Sequence, residues 1–412
     1  MPIRSLKPLI LAVMVGTLTA ARAGAEAGAP GPAPTASAPA PTTLAARLEL
    51  GRESTSLPYV HPFISGLAVT DSALLARHVG GAGFYLVHAG AGGRWRVDEV
   101  PGHGDITSFP GGFLASWSGT SHAINADLSR THHTTSELSV LDAATGATRW
   151  TAQWDGSFAV RPVALGDRIY VYFRAPATGN ALIALDAAGK EVQRIPLPDA
   201  WRDGRSLLAT GGEVVVHGVS TASTTVTAFD PATGRQTWEE DLGFGGNLAM
   251  VSGSLAVFHY PFDDGKFALV DLDAHRVLER SSTGPWVWDT RGMGVAGGLA
   301  CFWGGDKASG QGQLRCLDLQ TRQMRWQRVF EAGVRVSAGI VQQQGRLWIM
   351  VQGPEGPSRL LALDSATGAT VRDLALGERL ALLPRNPALL FQGLFVVGTH
   401  GGRVLGYELP KD

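Results

Sequence analysis

Leu141-Asp142-Ala143-Ala144-Thr145-Gly146-Ala147-Thr148-Arg149-Trp150 has the pattern Leu-Asp-x-x-Thr-Gly-x-x-x-Trp, and the chain repeats it. A second copy has Phe229 in place of the leucine, followed by Asp230, Thr233, Gly234 and Trp238. Partial copies stand at Leu185-Asp186, Val270-Asp271, Leu317-Asp318 with Thr321 and Trp326, and Leu363-Asp364 with Thr367 and Gly368. Successive aspartates are 44, 44, 41, 47 and 46 residues apart. That period matches one four-stranded propeller blade, a unit that cannot bury its apolar faces alone and therefore stacks on its neighbours.

The motif has a mechanical reading. Glycine takes the positive-φ position that other residues resist, while aspartate and threonine bond the local backbone and hold the turn between a third and a fourth strand. Tryptophan on the fourth strand, D, is expected to seal the seam against a neighbouring blade. Residues that recur in blade after blade are framework rather than chemistry.

Outward from the motif, the repeat around Asp230 divides into strands at 205–210, 213–219, 224–230 and 235–241, with Gly211-Gly212 turning the first corner. The apolar run Val214-Val215-Val216 fits a second strand, B, buried on both faces. Counting third strands gives eight: 84–88 precedes the first strong motif, and 403–408 follows the last, with Glu408 44 residues after Asp364. Residues 44–51 alternate apolar and polar, as an isolated fourth strand would, and are expected to pair beside 403–408. The expected fold is all-β: an eight-bladed β-propeller of four-stranded antiparallel blades, closed by pairing of its N- and C-terminal strands. Seven blades is the alternative.

Composition supports this plan. The 412 residues are 44% apolar, enough for one large closed body, and 53 glycines with only 17% charged residues suit short strands and tight turns. A formal net charge of −1 without long charged runs gives no evident nucleic-acid footprint and argues against electrostatic capture by acidic membranes. Residues 1–23 read as a secretory signal: Arg4 and Lys7, a short apolar stretch at 9–18, and the small-x-small site Ala21-Arg22-Ala23. The apolar stretch is short for a membrane span. Residues 24–43 are a proline- and alanine-rich leader with nothing to bury, expected to be disordered, and 44–412 form the propeller. A periplasmic or secreted monomer without a transmembrane segment in its mature chain is therefore expected.

The repeats resemble those of the quinoprotein, or PQQ-like, β-propellers, and in size and plan the chain is similar to the BamB family of the outer-membrane β-barrel assembly machinery. The resemblance covers about residues 44–411 and rests on the motif copies at Asp142, Asp230, Asp318 and Asp364. The expected function is a non-catalytic exported scaffold for protein or peptide partners; the resemblance implies a role in envelope or outer-membrane protein assembly, and a secreted or periplasmic adaptor for another partner is an equal alternative. Members of that family are lipoproteins, whereas this chain has only Cys301 and Cys316 and no lipid-accepting cysteine near the expected cleavage site. Quinone-dependent dehydrogenases built from such repeats hold the quinone on the axis, with a calcium, an aspartate base and a pair of adjacent cysteines. No adjacent pair occurs here, and no position matches the calcium ligands or the base, so none is carried over. No cofactor is expected, and a quinone- or metal-binding oxidoreductase using PQQ with calcium is the alternative.

Three sets of residues are candidates for more than framework. Cys301 and Cys316 fall opposite each other across a hairpin centred near 308–309, as a cross-strand disulfide in an oxidising compartment or as two buried thiols. His122, His132 and His133 lie in an insertion at 121–134 between strands B and C of the second blade, and His103 lies in the connection before that blade. Those two kinds of loop share a face, so a zinc or copper site is sterically open. Adjacent histidines rarely serve one ion, however, and no carboxylate pattern accompanies them, which favours solvated loops. Trp201, Arg202 and Arg205, with Trp286 and Trp288, sit in or beside interblade connections and are the partner-binding candidates. Packing beneath the loop is the competing role for such tryptophans.

Overall fold

In the computed structural model the described residues are 42–410 apart from 51–62, 80–82, 90–94, 125–129, 159–160, 176–178, 199–200, 202, 220–223, 245–247, 260–265, 283–287, 306–308, 337–338, 381–387 and 400–402. The expected signal and nearly all of the leader lie outside them. Strands follow one another as antiparallel neighbours, four at a time, in eight sheets, and the described residues include no helix. These are the blades of an eight-bladed β-propeller, whose strands are lettered A to D from first to last within each blade. Blade 4, for example, has strands Asp203–Thr210, Glu213–Val219, Thr224–Phe229 and Gln236–Asp241, within two residues of the expected bounds. Its strand B buries Val214, Val215 and Val216 completely, because each side chain meets either the preceding or the following blade. The same arrangement at every seam gives a core divided into clusters between blades.

Both ends of the chain complete blade 8. Ala46–Leu50 pairs antiparallel with Val404–Glu408, with Leu48 opposite Gly406, and supplies the fourth strand after Ala388–Phe391, Leu394–Gly398 and Val404–Glu408. Blade 1, the weakest copy in sequence, is complete as well, with strands Phe63–Val69, Ala73–Val79, Gly83–Ala89 and Trp95–Pro101, which removes the seven-bladed alternative. Pairing begins two residues earlier than the expected boundary at 44. Thr42–Thr43 runs parallel to strand D of blade 7, Thr370–Ala375, and Leu44 N–H bonds Ala375 O at 2.7 Å. A two-residue parallel bridge leaves no periodic signal that a sequence reading could detect.

The motif turns are built as their residue types dictate. Asp142 Oδ1 accepts the N–H groups of Ala144 and Thr145 at 3.0 and 2.9 Å and the Thr145 hydroxyl at 3.0 Å, while Gly146 takes φ 72°. Asp364 repeats the arrangement with Ala366 and Thr367. The Arg149 guanidinium, then the Thr145 hydroxyl, hold the Asp142 carboxyl down at about 2. Two degraded copies place a side chain where glycine belongs: His275 at φ 52° and Arg322 at φ 61°. His275 is compensated, since its ring stacks on Trp238 at 2° between planes and Nε2 lies 2.5 Å from Glu213 Oε2.

Seam tryptophans reach the motif turn of the next blade. Trp150 Nε1 donates to Ala187 O at 2.8 Å, and Trp326 Nε1 donates to Ser365 O at 3.0 Å. Gly189 and Gly368 lie directly beneath these indoles, and a Cβ on Gly368 would stand 2.6 Å from Trp326 Cε3. Turn glycine and seam tryptophan therefore form one packing unit shared by two blades.

Cys301, on strand B of blade 6 (Leu299–Gly305), is directly opposite Cys316 on strand C (Gln311–Asp318), and a disulfide joins them. Both are fully buried in the cluster between blades 6 and 7. Reduction is expected to lower stability by about 3 kcal/mol, the entropy released by a 15-residue loop. Denaturant midpoints with and without reductant test this, and two reactive thiols in denatured, unreduced protein would reject the bond.

Candidate functional site

Antiparallel strands divide the turns between two ends of the propeller. The A–B and C–D turns, including every motif turn, share one end, while the B–C hairpins and D–A connections share the other, called here the connection face. The motif end is nearly uniform from blade to blade. The connection face is where the blades differ.

Its largest departure is in blade 2, where strands B and C (Gly112–Ile124 and Arg130–Asp142) run 13 residues each. Strand A reaches only to Ser116 and strand D only to Thr135, so beyond them B and C pair with each other alone, out to Ile124 opposite Arg130. The expected insertion is thus a two-stranded ribbon continuing the blade. His122 and His132 are opposite each other in it, and His133 is opposite Ser121, but their side chains lie outside the described residues. His103 meets a different set: its ring stands edge-on to Trp117 at 5.0 Å, and Nε2 is 3.7 Å from Glu137 Oε1. Among the described residues no three His, Cys, Asp or Glu side chains converge on a metal position.

The base of the ribbon is firmly held. Ser118 and Ser136 hydroxyls lie 2.6 Å apart and accept the Phe158 N–H at 2.9 and 3.0 Å, tying the ribbon to the first segment of blade 3's split strand A (Ser157–Phe158). On the opposite side Trp117 is 38% exposed, in one row with Glu137 and with Gln153, whose Nε2 donates to Glu137 Oε2 at 2.9 Å. A rigid exposed indole beside polar groups is the kind of anchor that dominates protein interfaces. Trp117 carries no sequence signal of this role, because it stands on a strand and lacks the spacing of the motif.

The partner-binding candidates fare differently. Trp201 is 4% exposed: its indole lies over Gly218 and edge-on to Tyr172, and Asn180 Nδ2 donates to its carbonyl at 2.9 Å. It fills the gap beneath the connection, the packing role that competes with partner binding for such a tryptophan. Arg202 and Trp286 lie outside the described residues. Arg205 and Trp288 are on strands A of blades 4 and 6, with Trp288 opposite Gly305, and their side chains also lie outside the described residues.

One position organises the seams on this face. The residue five places before the motif aspartate lies on strand C or just before it and belongs to the set of alternate residues that packs on the preceding blade, as Leu361 and Leu363 do behind Arg359. It is Glu137 in blade 2, Lys266 in blade 5, Arg359 in blade 7 and, counted from Glu408, Arg403 in blade 8. Arg403 Nη1 bonds Glu378 Oε2 at 2.6 Å, and Glu378 belongs to the connection leaving blade 7. The first pressure on the Arg403 guanidinium is this Glu378 contact, which raises its pKa. Clefts open at two other seams: about 650 Å³ between blades 4 and 5, including Lys266 and Phe244, and about 470 Å³ between blades 6 and 7, including Arg328 and Arg359.

Known proteins agree with this architecture. The crystal structure of BamB from Moraxella catarrhalis superposes with a TM-score of 0.52 at 14% identity, covering 84% of this chain and 96% of that one. The computationally designed Ika8 protein gives 0.57 at 12% identity over 89% and 100% of the two chains. Sqt1 from Saccharomyces cerevisiae gives 0.57 at 9% identity over 90% and 100%. At such identities these likenesses concern the fold alone. No curated protein matches the chain in sequence. A family profile does: that of the outer membrane protein assembly factor BamB matches residues 134–372. Because that match spans more than half of the chain, including its motif turns and tryptophan seams, the chain belongs to the BamB family.

Proposed function

We propose that the protein is an exported, non-catalytic scaffold in outer-membrane protein assembly, holding protein or peptide partners on its connection face. Family membership supports the process, and the exposed Trp117 on a ribbon anchored by Ser118, Ser136 and Phe158 is the observation that carries the surface. A closed ring holds many loops in fixed relative positions, which lowers the ordering cost of binding. No helix among the described residues is long and apolar enough to cross a membrane. Export to the periplasm with cleavage after Ala23 completes the proposal, and N-terminal sequencing of envelope protein tests it.

Capture from native envelopes tests the function. Wild-type protein is expected to recover β-barrel assembly components. Trp117→Ala should recover them at least about tenfold less well with an unchanged thermal midpoint, as for a central interface anchor. Wild-type capture without any assembly component would overturn the proposal. Titration with pyrroloquinoline quinone and calcium is expected to give no saturable absorbance change, and dye-linked turnover would establish the oxidoreductase alternative instead.

A further inference from the structure

We propose that the cleft between blades 6 and 7 is a carboxylate socket, taking an acidic side chain from an extended segment of a protein partner. It rests on the scaffold reading and gives that surface a specific chemistry.

In two blades where the residue five places before the motif aspartate, or before Glu408 in blade 8, is charged, the seam shows what this place in the fold accepts. Where the residue is Arg403, the connection from the preceding blade supplies Glu378 at 2.6 Å. Where it is Glu137, the connection supplies His103 at 3.7 Å. In both cases the ring answers the seam residue with a group of opposite or complementary character. At blade 7 the residue is Arg359, and the connection from blade 6 passes through Gly333 and Val334 with no acidic side chain on it. A cleft of about 470 Å³ remains there.

Two guanidiniums face this cleft. Arg359 is held by Asp373 of its own blade. Arg328 is half-buried, and among the described residues its guanidinium bonds the Gly368 carbonyl at 3.1 Å, lies 5.0 Å from the Phe330 ring and forms no ion pair. Burial, and after it the nearby Arg359 charge, lower the Arg328 pKa, the signature of a cation short of counter-charge. Glu331 and Glu355 stand exposed at the rim, and neither forms an ion pair with either arginine. A carboxylate entering beside Arg328 makes charge-assisted bonds in a partly desolvated place. Phe330, Val334, Val351 and Pro354 give the adjoining residue of the same segment an apolar wall. The volume suits one or two side chains, hence an extended segment and not a folded surface.

Fluorescence anisotropy with two labelled peptides tests the socket, one alternating Glu and Leu, the other Gln and Leu. The acidic peptide is expected to bind saturably, to weaken with added salt, and to bind at least about tenfold better than the glutamine peptide. Arg328→Gln should remove most of that preference. Asp373→Asn, which frees Arg359, should tighten acidic-peptide binding, a gain that a misfolded variant cannot imitate. Lys190→Gln, at the motif end of blade 3, should change nothing beyond its small effect on net charge. Equal binding of the two peptides, no saturable binding, or wild-type behaviour in both Arg328→Gln and Asp373→Asn would overturn the socket. If envelope capture of assembly components succeeds while the acidic peptide fails, the scaffold reading stands and this inference falls.

Discussion

Lowering the pH from about 7 to about 5 is expected to remove about 2 kcal/mol of stability through His259 alone. This side chain ends strand B of blade 5, has no exposed surface, rests against Phe302 at 4.7 Å, and among the described residues has no hydrogen-bond partner on either ring nitrogen. Burial pushes its pKa down to about 3 from the ordinary 6.5. Above pH 6.5 the ring is neutral folded or unfolded, and its contribution is fully present. Below that the unfolded chain takes up a proton that the folded chain refuses, so stability falls by about 1.4 kcal/mol per pH unit until the folded pKa is reached. The accumulated loss near pH 3 approaches about 5 kcal/mol. Urea unfolding of wild type and His259→Leu across this range isolates the effect, because other titrating groups are common to both. The variant should show the shallower pH dependence, and parallel curves would show that His259 does not resist protonation.

Trp326→Ala should destabilise the protein by about 3–5 kcal/mol, the range for removing a large buried aromatic. Trp326 is 8% exposed, belongs to the cluster that joins blades 6 and 7, and donates to Ser365 O in the next blade's motif turn. Truncation takes away the packing surface above Gly368 and leaves a cavity whose walls are backbone and rigid strands, which collapse poorly. Trp326→Phe, keeping a ring but losing the donor, should fall between the two. Denaturant midpoints read the series, and a loss below about 1 kcal/mol for alanine would mean that the seam carries little of the ring's stability.

The framework was legible because its residues are dictated locally. Asp142, Thr145 and Gly146 make their own turn, and a turn repeated at fixed intervals betrays a blade wherever it stands. Strand B of blade 4 and the closing pair of Ala46–Leu50 with Val404–Glu408 followed from apolar patterning and counting. The connection face was less legible because its character depends on which neighbour a side chain meets. Trp201 lies in a connection, where partner binding and packing compete, and only the neighbours it meets show that it plugs the seam below. Trp117 is not legible as an exposed anchor, since nothing in the sequence says that the ribbon carries it past the end of strand A. A partial signal lies in the sequence: five residues before the motif aspartate stand Glu137, Lys266 and Arg359 in three copies, against Ala181, Thr225 and Gln313 in the other three, and residue parity points this position at the preceding blade.

Closure of blade 8 bears on when this chain folds. Arg403 reaches Glu49 across 354 residues of sequence, the span over which the first and last strands find each other. Confining the ends of so long a loop opposes closure by about 5 kcal/mol before any contact compensates. In a chain threaded through an export channel from its N-terminus, as proposed here, Ala46–Leu50 arrives first and waits for the last residues to emerge. With export as proposed, the keystone would be set only after translocation ends, and until then blades 1 and 7 would flank an unfinished arc. Secretion would thus be timed ahead of folding by the placement of one five-residue strand.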